Sequence, residues 1–168
     1  MDGSLNDVHR AQKTIMENRH IEDADTYLNL TSSCTYSYEL LDDIGRAVEC
    51  MTVHMERKSN IAIVVDCDAD GYTSAGMLYM YLKHVSKCNI TPLLHDRKVH
   101  GLSDDITIPV GTDIVLIPDA GTNDLVQLRK LKDNGIDVII LDHHLFENSK
   151  LDTQITIDDI RDTAIVVN

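Results

Sequence analysis

Three short apolar runs, Ile61-Ala-Ile-Val-Val65, Ile114-Val-Leu-Ile117 and Val138-Ile-Ile-Leu141, each break straight into acid or imidazole side chains. The first opens into Asp66-Cys-Asp-Ala-Asp-Gly71, the second into Pro118-Asp-Ala-Gly121 and the third into Asp142-His-His144. Near-continuous Ile/Val runs without polar alternation suit strands buried on both faces, the situation of a parallel sheet covered by helices. Open sheets of that kind hold their ligand crevice beyond the carboxyl ends of the strands. Three such ends carrying acids and histidines therefore predict one site. Oxygen plus imidazole donors without thiolates suit manganese, magnesium or a mixed divalent centre.

The segments between the runs read as helices and two more strands. From Tyr38 to about Glu56 the residues Leu40, Leu41, Ile44, Ala47, Val48, Met51 and Met55 recur at three- and four-residue steps, which predicts a helix with one buried face. Thr73 to about Val85 and Asp124 to Asp133 read as further helices, the latter closed by Asn134-Gly135. Asn89–Leu94 and Ala164–Val167 read as strands. The expected fold is α/β: a parallel five-stranded sheet flanked by helices, preceded by N-terminal helices. Residues 1–35 form a helical extension in this reading, with a helix over Leu5 to Arg19 and a polar break at Thr31–Thr35. Residues 36–168 form the metal-binding domain.

At 168 residues the chain can build one well-formed core. A net charge of −13 argues against broad electrostatic binding to nucleic acid, which draws on an excess of Lys and Arg. It does not exclude a nuclease, because several of the acids would sit beneath bound cations. Cys34, Cys50, Cys67 and Cys88 are widely spaced without a Cys-x-x-Cys pair, and read as free thiols of a reducing compartment. Met1 to His20 lacks the apolar stretch of a signal peptide, and no run approaches the roughly 18 apolar residues of a membrane span. A soluble, cytoplasmic protein without a membrane partner is expected. The last strand reaches Asn168, which reads as a fragment of a longer polypeptide.

Alternation along an extended segment would put Asp66, Asp68 and Asp70 on one side, where three like charges repel unless a cation holds them. Gly71 allows a turn, and Thr73 or Ser74 can cap the next helix. An EF-hand loop also begins D-x-D-x-D-G, but its twelfth position would be Met77 where a Glu is required, and a strand precedes it. After Asp119, Gly121 lets the backbone turn and Thr122 or Asn123 can cap a helix. In Asp142-His143-His144 a carboxylate stands beside imidazoles that it can orient. In the loop His95 to Ser103, Arg97 offers a fork for phosphate oxygens and His100 a proton donor, against the plainer reading of a basic surface loop. Asp104-Asp105 read as a solvated run or helix cap. Tyr72 is the tyrosine nearest the acids.

Together these residues resemble the DHH phosphoesterase superfamily, and within it the RecJ-type single-strand DNA exonucleases. Four signatures stand in order: D-x-D-x-D-G-x-x-S as Asp66–Ser74, an Arg-bearing loop as Arg97–Ser103, D-x-G as Asp119–Gly121, and Asp142-His-His144. Pro118–Asp124 also looks like RecJ-like proteins of phages and Gram-positive bacteria. The resemblance covers about Leu40 to Asn168. It implies metal ligation by Asp68, Asp70, Asp119 and His143, with His144 at the same centre and Asp66 and Asp142 as ligands or orienting partners. It implies that Arg97 and His100 hold or polarise the scissile phosphate, with Ser74 beside them among substrate-binding candidates. The implied activity is 5′–3′ hydrolysis of single-stranded DNA with Mn²⁺ or Mg²⁺, two ions in number. Implied partners are single-stranded DNA, a downstream DNA-gripping domain and proteins of replication or recombination.

Three departures from the family pattern are visible. Val64 stands where many members carry His, the Arg-bearing loop is short, and a further metal-binding Asp has no counterpart before Asn168. Residues 1–168 alone are accordingly expected to degrade DNA poorly. Two rivals remain open: a DHH phosphodiesterase of oligonucleotides or cyclic dinucleotides, and a non-catalytic DHH-fold interaction module. Intact acids and histidines count against the second.

Overall fold

The structure, a computed structural model, describes residues 3–95, 99–102, 106–146 and 155–168. The chain divides into two compact units, Met1–Leu40 and Leu41–Asn168. The first contains α1 (Gly3–Asn18), α2 (Ala24–Leu28) and single 3₁₀ turns at Ser32–Cys34 and Tyr38–Leu40. Asp23 caps α2 by accepting the Thr26 N–H at 3.0 Å. This short helix carries no buried residue, so no apolar stripe advertises it in the sequence.

The second unit opens with α3 (Ile44–Arg57), six residues later than the apolar pattern predicts. Asp43 adopts a left-handed conformation (φ 56°) and accepts a 3.0 Å bond from Arg46, so the chain turns sharply just before the helix begins. Leu40, Leu41 and Val48 are consequently exposed. Ala47 is buried, and Ile44, Met51 and Met55 pack half-buried against the sheet.

The remainder alternates as expected: β1 (Asn60–Val65), α4 (Ala69–Val85), β2 (Asn89–Leu94), β3 (Ile114–Pro118), α5 (Leu125–Asp133), β4 (Asp137–Leu141), α6 (Ile157–Arg161) and β5 (Ile165–Val167). The five strands form one sheet in the order β2-β1-β3-β4-β5, every neighbour parallel. Pro92 lies in β2, at an edge of the sheet, where its missing N–H disturbs no interior ladder.

Successive β1 residues point to opposite faces. Ala62 and Val64 join Val115, Ile117 and Ile140 beneath α5 and α6, whereas Ile61 and Ile63 join Leu116 and Ile139 beneath α3 and α4. Two cores, one on each face, explain why the strand sequences lack polar alternation. The helix α6 escapes the periodicity reading because it is five residues long; its signal is local, a capping box in which Thr156 N–H donates to Asp159 at 2.8 Å.

Leu128, fully buried on α5, tests this packing. Leu128→Ala retains a good helix former and removes only core volume, so it is expected to cost about 2–5 kcal/mol in urea denaturation. A loss well under 1 kcal/mol would mean that α5 does not press on the sheet. Among the described residues no helix is long and apolar enough to cross a membrane.

Candidate metal centre

β1, β3 and β4 are consecutive in the sheet, so their carboxyl ends lie side by side. Asp66 follows β1 and is almost fully buried. The chain then turns into a helix sooner than extended alternation predicts. α4 begins at Ala69, Asp68 is its cap, and Asp70 lies in the first helical turn. The Asp68 carboxylate accepts the Gly71 N–H at 3.1 Å, which holds its pKa below the usual value. Asp caps as well as Ser or Thr, which displaces the predicted caps. Thr73 and Ser74 donate instead to the carbonyls of Ala69 (2.8 Å) and Gly71 (3.1 Å). Gly71 is needed for close approach: a Cβ there would fall 2.5 Å from the Cβ of Asp66.

Asp119 sits immediately past β3 in a left-handed conformation (φ 65°), one that Asp tolerates better than most residues. Its N–H donates to the carbonyl of Leu141 at 2.8 Å, extending the ladder to β4 by one bond. Gly121 (φ 105°) completes the turn, with Ile117 and Ile140 side chains 3.2 and 3.3 Å from where a Cβ would stand. The Asp119 carboxylate is buried. Its Oδ1 lies 3.1 Å from His143 Nε2, and its Oδ2 has no hydrogen-bond partner among the described residues. Burial pushes its pKa above the usual carboxylate value, and the charges of Asp70 and Asp68 push it further against the opposing pull of His143 and His144.

Donor atoms of Asp119, His143 and His144 lie within 4.8 Å of one another, and so do those of Asp66, Asp68 and Asp119. Asp119 belongs to both groups. An orphaned buried oxygen at the meeting point of carboxylates and imidazoles is the arrangement that a hard or borderline divalent cation satisfies. These residues fit a metal.

Two carboxylates at this edge, Asp142 and the Asp66 of the second group, are also held by hydrogen bonds to their neighbours. Asp142 Oδ1 receives both the ring nitrogen Nδ1 (2.7 Å) and the backbone N–H (3.1 Å) of His144, and its Oδ2 receives the N–H of Thr122 (3.1 Å). Burial pushes the Asp142 pKa upward, but those hydrogen bonds outweigh it and the net shift is downward. The same contact raises the pKa of His144, chiefly through the hydrogen bond to Asp142. Asp66 is held in a similar way: Oδ2 meets His100 Nδ1 at 2.6 Å and Oδ1 accepts the Gly101 N–H at 2.8 Å.

A cavity of about 410 Å³ lies on one side of Asp119, lined by His100, Thr122, Asp142 and His144 among others. Another of about 390 Å³ also touches Asp119, and in it Ser74 and His143 meet the apolar side chains of Leu41, Ile44, Leu141 and Val167. Of the sequence candidates, Asp66, Asp68, Asp119, Asp142, His100, His143 and His144 come together at this edge. Asp70 stands nearby, close enough for its charge to act on Asp119. Arg97 lies outside the described residues, as do Ser103, Asp104 and Asp105. Tyr72 is exposed on α4.

Three contributors escape a reading of the sequence. Cys67 Sγ lies 3.7 Å from the His100 ring nitrogens, so a thiol does stand at the rim of the oxygen and imidazole set. Thr122, expected only as a cap, delivers a backbone donor to Asp142. Asp124 is the N-cap residue of α5, yet its carboxylate accepts the Leu102 N–H at 2.7 Å and thereby anchors the loop that carries His100. No spacing rule announces a backbone contact across 22 residues.

Comparison with known proteins assigns the chain to a family. The DHH family, N-terminal domain, matches residues 60–165, and the chain belongs to that family. It is 36% identical over 156 residues to the Bacillus subtilis strain 168 protein named "Putative SPbeta prophage-derived single-strand DNA-specific exonuclease YorK", covering 92% of this chain and 25% of that protein. It is 29% identical over 132 residues to the single-stranded-DNA-specific exonuclease RecJ of Haemophilus influenzae, covering 76% of this chain and 23% of the relative. The chain thus spans about a quarter of the length of the curated relatives it matches. In fold it is similar to a crystal structure of exonuclease RecJ bound to manganese, with a TM-score of 0.58, 22% identity, and coverage of 79% of this chain and 32% of the other. RecJ of Thermus thermophilus in complex with Mn²⁺ gives a TM-score of 0.57 at 20% identity, covering 80% of this chain and 18% of the other.

Proposed function

We propose that this chain is the metal-binding catalytic domain, over residues 36–168, of a RecJ-like exonuclease that hydrolyses single-stranded DNA from its 5′ end. The observation that carries the reading is Asp119: buried, left-handed, shared by two donor groups and carrying an oxygen with no hydrogen-bond partner among the described residues. Asp68, Asp70, Asp119 and His143 would hold the metal, Mn²⁺ by preference or Mg²⁺, as two ions. A bound divalent cation would supply Lewis acidity to a phosphoryl oxygen and acidify water at neutral pH.

The side chains around that centre have separable tasks. Asp142 fixes the tautomer of His144 by engaging Nδ1, which leaves Nε2 free to face the centre. Asp66 does the same for His100, whose ring remains largely exposed and available to a phosphate oxygen or a leaving group. Arg97 would add a bidentate fork to the phosphate, and Ser74 lines the cavity beside Asp119. Strand contact beyond the scissile phosphate would fall to a separate DNA-gripping domain, since the net charge of −13 over the whole chain gives it little attraction for a polyanion. The free state of all four cysteines supports a reducing, cytoplasmic setting alongside replication or recombination proteins.

The test is digestion of single-stranded DNA labelled at the 5′ or the 3′ end, with excess Mn²⁺, comparing the chain with its Asp119→Asn variant. Slow, Mn²⁺-dependent release of the 5′ label that disappears in the variant is expected. Release that is indifferent to Asp119, or that starts at the 3′ end, would overturn the reading.

A further inference from the structure

The opposite edge of the sheet carries a second donor set. Cys50 and His54 stand four residues apart on α3, so they share one face of the helix. Asp137 opens β4, and His54 Nε2 lies 3.0 Å from its Oδ2. The Cys50 thiol, the His54 imidazole and the Asp137 carboxylate place one donor atom each within 4.8 Å of one another. His54 is buried, and its other ring nitrogen, Nδ1, meets Ser59 Oγ at 2.9 Å. This contact fixes the ring and directs Nε2 at Asp137, as the orienting partner of a metal-bound histidine does.

The ligand chemistry differs from that of the strand-end acids. Thiolate, imidazole and carboxylate together favour a borderline-soft ion, and zinc accepts all three in a tetrahedral shell. Tetrahedral bonds of about 2.0–2.3 Å set donor atoms roughly 3.3–3.7 Å apart, so small rotations of Cys50 and Asp137 suffice. The fourth position has an outlet, because Cys50 and Asp137 line a cavity of about 340 Å³ that can admit water. Described residues of the DHH signatures take no part in it, and it lies at the amino ends of the strands, away from Asp119.

We propose that Cys50, His54 and Asp137 form a zinc site, with water as the fourth ligand, that clips α3 to the start of β4. On binding, the thiol proton of Cys50 leaves to solvent as its bond to the ion forms, while His54 binds through Nε2 as the neutral tautomer that keeps its proton on Nδ1, donated to Ser59 Oγ, and Asp137 binds as the carboxylate. The ion replaces a hydrogen bond between segments 83 residues apart with a stronger tie.

Co²⁺, which mimics zinc and is coloured, tests the site directly. Titration of the full chain should produce a thiolate-to-cobalt charge-transfer band with tetrahedral visible bands, saturating at one equivalent and displaced by Zn²⁺. The band should persist in Asp119→Asn and in Cys67→Ser, which alter the other edge. It should vanish in Cys50→Ser, and Asp137→Asn, which can still hydrogen-bond His54, should weaken Co²⁺ binding at least tenfold. Circular dichroism identifies any variant that fails to fold, in which case the other one decides. A wild type without the band, or a band that follows Cys67 instead of Cys50, overturns the proposal. The outcome is independent of whether the strand-end acids hydrolyse DNA.

Discussion

Replacing Asp119 with asparagine is expected to raise the melting temperature of the metal-free protein at neutral pH and to abolish the further rise that Mn²⁺ produces. The substitution is chosen for its backbone: Asn accepts the left-handed conformation found at this position, so the turn after β3 survives. The two effects have different origins. Without metal, a buried carboxylate stands among Asp68 and Asp70, and its pKa is pushed above that of an unfolded-state carboxyl. A carboxyl with a raised folded-state pKa binds its proton more tightly in the native state. Its charge therefore burdens the fold once pH exceeds the folded-state pKa, and the burden is gone below the unfolded value. The gain in the Asp119→Asn variant should accordingly be present at pH 7 and vanish in strong acid.

With metal the sign reverses. Mn²⁺ binds the folded site and stabilises it by linkage, in proportion to how far its concentration exceeds the dissociation constant. Loss of an outer orienting partner already weakens metal sites by about 10–100-fold. Asp119 contributes to both donor groups, so its loss should exceed that range and erase the shift at millimolar Mn²⁺. Thermal unfolding with and without Mn²⁺, at neutral and acidic pH, reads both effects. Equal Mn²⁺ stabilisation of wild type and variant would remove Asp119 from the site.

Much of this arrangement is legible in the chain. The strands are visible because burial on both faces of a parallel sheet demands uninterrupted apolar residues, and Ile61–Val65, Ile114–Ile117 and Val138–Leu141 have no other economical reading. The acids and histidines fall at one edge because parallel strands all end on the same side. What the pattern does not show is where extended chain gives way to helix. The Asp66–Gly71 segment reads equally well as an alternating strand or as a cap followed by a helical turn. The choice depends on Gly71 packing directly against Asp66, a contact without a periodic signature. The start of α3 is hidden for a related reason. Leu40 and Leu41 continue the apolar spacing, but a left-handed Asp43 interrupts the backbone, and spacing is blind to φ. The tasks of Asp66 and Asp142 become separable only with side chains in place, because a carboxylate that holds an imidazole and one that faces a cation are the same letter in the sequence.

The same substitution made twice on α4 should give opposite results. Gly71 and Gly76 both lie in this helix, where alanine is ordinarily the better residue by about 0.5–1 kcal/mol. At Gly76 an added Cβ meets nothing within 4 Å, so Gly76→Ala should realise that gain in full. At Gly71 the added carbon would stand 2.5 Å from the Asp66 Cβ and 2.9 Å from its backbone carbonyl, contacts that real Cβ atoms do not tolerate. Neither obstacle is the free end of a flexible side chain. Asp66 is buried and tied to both His100 and Gly101, so relief must come from moving the first turn of α4 away from β1. Gly71→Ala is therefore expected to lose about 1–3 kcal/mol, the usual cost of overpacking a rigid site. It should also displace Asp68 and Asp70, weakening Mn²⁺ binding together with stability. Urea denaturation of the two variants, each with and without Mn²⁺, separates the cases. A Gly71→Ala protein as stable as Gly76→Ala and equally responsive to Mn²⁺ would show that β1 and α4 do not meet as closely as described, and the contact argument for the D-x-D-x-D-G turn would fail.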